Sequence, residues 1–192
     1  ARVSERDFQA YEHQRREVLG PALRLEPPAS GWGFYPHFIE PMVRVPLRDM
    51  AWNIYKEPLR RSTLRRAIET DQPTVTPMVH LVGLDDPTDR FRPAVVVYLP
   101  VFQTAGTPSP AERWERCRGV VFASVVLHQV FEPLLEPYPH VALRVQDVEG
   151  GQELFRRGDF AEGRGRLERS LTHGVAGRTW RFTYRVEDAS AL

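Results

Sequence analysis

A single cysteine, Cys117, leaves this chain unable to form an internal disulfide, so its stability must come from packed cores. A lone cysteine suits the cytosol and equally a bacterial periplasmic domain large enough to do without staples. Lysine is almost absent. Lys56 stands alone among basic residues that are otherwise arginine, a usage that reflects genomic base composition more readily than a phosphate-binding surface. The net charge of +1 excludes any large electrostatic pull toward nucleic acid or anionic lipid. No apolar run approaches the roughly 18 residues that a spanning helix needs. Nucleophile elbows, Walker loops, Gly-x-Gly-x-x-Gly and Cys-x-x-Cys are all missing. The six histidines, at 13, 37, 80, 128, 140 and 173, form no i, i+4 pair. No catalytic residue, metal ligand or cofactor is therefore expected.

What is present reads as an ordinary soluble composition, 42% hydrophobic and 27% charged over 192 residues, enough for one large domain or two small ones. Ser4 to Asp7 opens a helix to about Val18, which Leu19-Gly20-Pro21 ends. Ala22 to Leu25 and Phe34 to Ile39 read as strands. Glu57-Pro58 starts a second helix, with proline in the first turn. Leu59, Thr63, Leu64, Ala67 and Ile68 form its apolar stripe, and Arg60, Arg61, Arg65, Arg66 and Glu69 its other face. Thr74 to Val82 is a strand broken at Pro77. Ala94 to Val101 is a strand buried on both faces. Ser109 to Glu112 is a capping box that opens a short helix to about Arg116. A strand at 120–125 and a helix at 127–135 follow. The strands after Pro137 are short, and Trp180, Phe182, Tyr184 and Val186 alternate with polar neighbours. Hairpins outnumber crossovers, so the fold class is α+β with antiparallel sheets flanked by helices. The boundary falls near Pro133 to Tyr138, giving units 1–135 and 136–192.

Four clusters invite a chemical reading. Asp85, Asp86 and Asp89 lack the glycine and distal glutamate of a calcium loop and read as a solvated turn. Gly163-Arg164-Gly165 reads as a flexible turn. Cys117 lies between Arg116 and Arg118, which would favour a thiolate, yet its place before a buried strand reads as packing. Trp32, Phe34, Tyr35, Phe38 and Trp52 are dense beside Asn53. They either wall a flat ligand, with Asn53 as a two-way hydrogen-bonding group, or fill a core.

The order of several short elements resembles the CHASE family of extracytoplasmic sensor domains. These are Tyr35-Pro36 with Glu40-Pro41, Ala51-Trp52-Asn53-Ile54 with Glu57-Pro58-Leu59-Arg60, Val75-Thr76, Leu99-Pro100-Val101-Phe102, Glu112-Arg113, Arg118-Gly119-Val120-Val121-Phe122 and Gly177-Arg178-Thr179-Trp180. The resemblance implies a PAS-like fold with a ligand-binding distal unit and a smaller membrane-proximal unit. It implies membrane spans outside this chain and a homodimer in the full receptor. In plant members that bind cytokinins, an acidic side chain at the Asn53 position holds the adenine, helped by backbone near Val75. Asn53 accepts without carrying the charge, which points away from cytokinins and keeps a pocket in the same place.

The resulting expectation is a non-enzymatic periplasmic sensor domain of an inner-membrane receptor, feeding a histidine kinase or a diguanylate cyclase. The partner is a small molecule, with flat heterocycles among the candidates, and not a nucleic acid. Tyr35, Phe38, Trp52, Val97, Leu99 and Phe122 are the expected walls. Asn53 is the side-chain anchor, and the Val75 main chain and Thr76 hydroxyl are further polar contacts. The alternatives are a small hydrolase using Cys117 or an Asp–His pair, and a ligand-free dimerisation module.

Overall fold

The computed structural model describes residues 1–37, 39, 50–81, 93–103, 106, 108–160 and 167–186. These form an α+β fold with several antiparallel sheets. The described residues divide into two compact units that are discontinuous along the chain. The first holds Ala1–Thr74 and Tyr98–Phe122. The second holds Val75–Leu81, residues 93–97 and the chain from Ala123 onward.

In the first unit, strand β1 (Arg2–Ser4) pairs antiparallel with β2 (Trp32–Phe34), with Val3 opposite Gly33. Helix α1 (Phe8–Leu19) starts later than its sequence suggests. The Ser4 hydroxyl accepts from the Asp7 amide at 3.2 Å and donates to the Asp7 carboxylate at 2.6 Å, so the cap residues make a turn of their own. Leu23 and Leu25 are buried as expected, but Ala22 to Leu25 is assigned no strand. Val3, Leu23, Leu25, Tyr35 and Ala51 form one core cluster. A single 3-10 turn at Ile54–Lys56 leads into helix α2 (Pro58–Thr70).

Helix α2 is closed at both ends by its own sequence. The Glu57 carboxylate accepts from the amides of Leu59 at 3.0 Å and Arg60 at 2.7 Å, a cap worth about 1 kcal/mol. Asp71 takes the left-handed conformation at the C-cap, where its amide donates to Ala67. The buried stripe is Arg60, Thr63, Leu64, Ala67 and Ile68. Leu59, expected inside, is 42% exposed, and Arg60, expected outside, is 6% exposed.

Strands β3 (Thr74–Val75) and β4 (Val79–His80) are the two pieces into which Pro77 breaks the expected strand. Strand β5 (Pro93–Phe102) joins them in the order β3-β5-β4, and β6 (Cys117–Val126) pairs with β5. The capping box delivers only one helical turn, α3 (Arg113–Arg116), although Ser109 donates to Glu112 at 2.6 Å.

The second unit holds helix α4 (Leu127–Leu135) and a four-stranded antiparallel sheet in the order β8-β7-β10-β9. Its strands are β7 (Val141–Asp147), β8 (Gln152–Arg157), β9 (Leu167–Val175) and β10 (Arg178–Val186). Strands β9 and β10 are joined through Ala176 (φ 44°) and Gly177 (φ 81°), the two positive φ values that a tight hairpin with native twist requires. The core contains Val75, Val95, Leu127, Leu135, Leu143, Val145, Leu154, Phe155 and Trp180, with Phe182 and Tyr184 packed against it. The alternation read from β10 therefore does place one face inward.

Candidate ligand site

The aromatic residues that lie close in sequence go to three places. Backbone alternation along Trp32 to Tyr35 separates them. Phe34 meets the ring of Tyr55 at 5.3 Å, and Trp32 meets Trp114 edge-on at 6.4 Å. The Arg2 guanidinium lies 3.5 Å from the Trp32 ring centre and 5.0 Å from that of Trp114, binding this cluster together. Tyr35 turns the other way. Its ring lies 6.1 Å from Phe8 and 5.8 Å from Tyr11, and its hydroxyl donates to the Glu26 carbonyl at 2.6 Å. Burial pushes the Tyr35 phenol well above its ordinary range, so it remains a neutral donor.

Trp52 is half-buried and takes a third direction. Its ring lies 4.7 Å from the Arg60 guanidinium, projected from the first turn of α2. The Arg60 Nε faces the Glu57 carboxylate at 3.9 Å. The guanidinium also lies beside Tyr98 on β5. Burial raises the Tyr98 phenol, and the Arg60 charge partly opposes that rise. Tyr98 is 0% exposed, and the Arg60 side chain is its polar neighbour, opposing the rise by a hydrogen bond as well as by its charge. Phe122 closes the row, its ring 6.4 Å from that of Tyr98. Trp52, Arg60, Tyr98 and Phe122 thus form a continuous series within the first unit.

Asn53 is fully buried and both of its side-chain polar atoms make hydrogen bonds. Its Oδ1 accepts from the amides of Phe34 at 3.0 Å and Tyr55 at 3.1 Å, and its Nδ2 donates to the Pro27 carbonyl at 3.0 Å. To accept from a guest, Asn53 would have to release an amide, because both lone pairs of Oδ1 are taken, whereas Nδ2 has a second N–H. Leu99 follows Tyr98 on β5, so alternation puts it on the opposite face, where it is 44% exposed. Val75, Thr76 and Val97 belong to the second unit. The Val75 amide donates to Ala176 at 2.8 Å. Thr76 makes a two-way contact with Val96, donating from its amide at 2.9 Å and accepting on Oγ1 at 2.9 Å. Val97 packs against the second core. Phe38 lies outside the described residues, as do the Asp85–Asp89 and Gly163–Gly165 turns.

Arg60 and Tyr98 were not singled out from the sequence. A charged side chain is expected to face water, which points Arg60 outward. Its spacing from Thr63, Leu64 and Ala67 is nevertheless that of the buried stripe, which was the available signal. The remaining arginines do face outward. Pro58, Arg61, Ser62, Arg65, Arg66 and Glu69 line a shallow, open groove along α2.

Cys117 is buried, and its thiol contacts the Gly119 carbonyl at 3.3 Å. Burial raises its pKa despite the Arg2 charge, the reverse of what a nucleophilic cysteine needs. No group of three potential metal-ligating side chains occurs among the described residues. No helix among them is long and apolar enough to cross a membrane. The model of the CHASE domain family matches residues 1–155. No curated protein matches the chain.

Proposed function

The chain belongs to the CHASE domain family of extracytoplasmic sensor domains, and on that premise we propose that it senses a small molecule in the periplasm for a bacterial inner-membrane receptor. The output module is a histidine kinase or a diguanylate cyclase, and the receptor works as a homodimer. The fold is the PAS-like arrangement of the family, with the guest held in the first unit.

The observation that carries this reading is the row Trp52, Arg60, Tyr98 and Phe122. It joins a partly exposed ring, which gives access, to a buried polar pair and an apolar wall. Small-molecule sites combine apolar walls with a few placed polar groups in this way. Tyr35 and Asn53 support the row by fixing the loop and strand around it. Signalling follows if the guest favours one of two packings, because only differential affinity moves such an equilibrium.

Isothermal titration of the chain with a metabolite library tests this. Saturable binding that Trp52→Ala weakens is the expected result. Absence of saturable binding across the library, or binding that Trp52→Ala leaves untouched, sinks the assignment.

A further inference from the structure

We infer that the outer edge of β9 pairs antiparallel with the same edge of a second copy of this chain, joining their four-stranded sheets into one across a two-fold axis at Leu171. This names a surface for the homodimer in the receptor reading and rests on that part of it.

Strand β9 is the last strand of its sheet, and among the described residues only β10 pairs with it. Every residue from Leu167 to Gly174 is exposed, Leu167 at 62% and Leu171 at 52%. Helix α4 covers the other strands. Its Phe131 ring lies 5.1 Å from Phe155 on β8 and 6.2 Å from Phe182 on β10, which leaves β9 bare. Long regular edges of this kind are normally blunted by proline, lysine or a bulge. Strand β9 has none of these. Its register with β10 runs unbroken from Leu167 to Val175, and Glu168 is paired with Arg185 on β10.

The main-chain groups of that edge belong to alternate residues. Opposite Gly174, the Thr179 carbonyl accepts from the Val148 amide at 2.9 Å and the Thr179 amide donates to Glu149 at 2.9 Å, so Thr179 turns its main chain away from β9. Gly174 therefore turns its own main chain outward, and by alternation so do Thr172, Ser170 and Glu168.

The order of side chains selects a second copy as the partner. About Leu171 the strand is a palindrome of side-chain classes. Antiparallel pairing centred there sets Leu171 against Leu171, Ser170 against Thr172, Arg169 against His173, Glu168 against Gly174 and Leu167 against Val175. Apolar meets apolar and hydroxyl meets hydroxyl, pairs that stabilise antiparallel ladders. Only Arg169 against His173 adds no attraction. Every outward residue of both strands then has a partner. Moving the centre to Ser170 sets Leu171 against Arg169 and carries Gly174 past the end of the other β9. A two-fold contact requires self-complementarity of this kind, whereas pairing with an unrelated strand does not. One strand edge buries less than the roughly 800 Å² per partner of a standard interface, so the contact is weak in the free chain and strengthens where a receptor holds two copies together.

The test introduces one cysteine at a time into the full chain under mild oxidation. In the paired strands the two Leu171 Cα atoms form a non-hydrogen-bonded pair about 4.5 Å apart, inside the roughly 4.4–6.8 Å that a disulfide spans. The two Leu167 Cα atoms lie roughly 27 Å apart along the strands. Leu171→Cys should therefore give a covalent dimer, and Leu167→Cys, at a more exposed position, should not. The unaltered chain, whose Cys117 is buried, should stay uncrosslinked. Sedimentation equilibrium up to millimolar concentration should show reversible dimers. Leu171→Glu should weaken them at least tenfold with no change in melting temperature, because it opposes two carboxylates at the axis and alters an exposed side chain. Equal cross-linking at both positions, or none with Leu171→Cys, would overturn the pairing. A dimer that Leu171→Glu leaves intact would overturn β9 as its surface and keep the homodimer, whereas a full-length receptor that sediments as a monomer would remove both.

Discussion

Replacing Asn53 by alanine should unfold a larger share of this protein than its size suggests. The side chain pairs two buried amides, those of Phe34 and Tyr55, and one carbonyl, that of Pro27, which lies nearer the surface. An unpaired buried amide costs about 1–3 kcal/mol. Two such amides sum to roughly 2–6 kcal/mol, and the carbonyl, which water can partly reach, adds little. That is a large fraction of a total stability of about 5–15 kcal/mol. Urea denaturation followed by tryptophan fluorescence measures it directly. Asn53→Asp sharpens the test. It keeps the acceptor for both amides, loses the donor to Pro27, and brings a carboxylate near Glu26, whose Oε2 accepts from the Asn53 backbone amide at 3.3 Å. Burial and that neighbour push the pKa of the introduced acid up, while the two amide bonds that it keeps pull it down, so the direction in which stability moves with pH reads which effect wins. A loss below about 1 kcal/mol in Asn53→Ala would refute the assignment of Asn53 as the tie between β2, the 3-10 turn and the Pro27 loop.

Other outcomes follow from single contacts. Gly33→Ala places a methyl group against the Tyr35 ring, which is held by its bond to Glu26, so it should lose about 1–3 kcal/mol in the same denaturation assay. Arg178→Ala strands the Asp147 carboxylate, 1% exposed and paired with Arg178 across β7 and β10. The expected loss is about 3–5 kcal/mol, and a near-neutral result would show the pair to be solvated. Cys117 should resist a thiol reagent at pH 8 in the native chain and react at once in urea. Rapid native labelling would revive a nucleophilic role. Amide donation from Thr179 lowers the Glu149 carboxyl from 4.5 to about 2. Its folded pKa is depressed, so its contribution is present above 4.5 and is lost as pH falls toward 2. Glu149→Gln should flatten the stability profile in that window, and an unchanged slope would count against the contact.

Much of the fold was legible because local patterns agreed with the tertiary result. Leu127 to Leu135 reads as a helix and is one, and the alternation from Trp180 to Val186 gives β10 its buried face. Pro77 divides β3 from β4 for the reason that proline interrupts a ladder. Where patterns failed, side chains did something their class seldom does. Arg60 buries its stem and charge against Trp52, displacing Leu59 to the surface. Leu23 and Leu25 alternate like a strand, although their segment is assigned none. The aromatic group from Trp32 to Trp52 was visible in composition, but its division among three clusters depends on backbone direction at Phe34 and Tyr35, which no count of rings reveals.

The most direct measurement is the output of the proposed receptor, read as activity of its output module, against concentration of a compound that binds this chain. Output should change with a half-maximal concentration matching the dissociation constant of the isolated chain, and Trp52→Ala should shift both together. A compound that saturates the chain while output stays constant would contradict sensing by this domain.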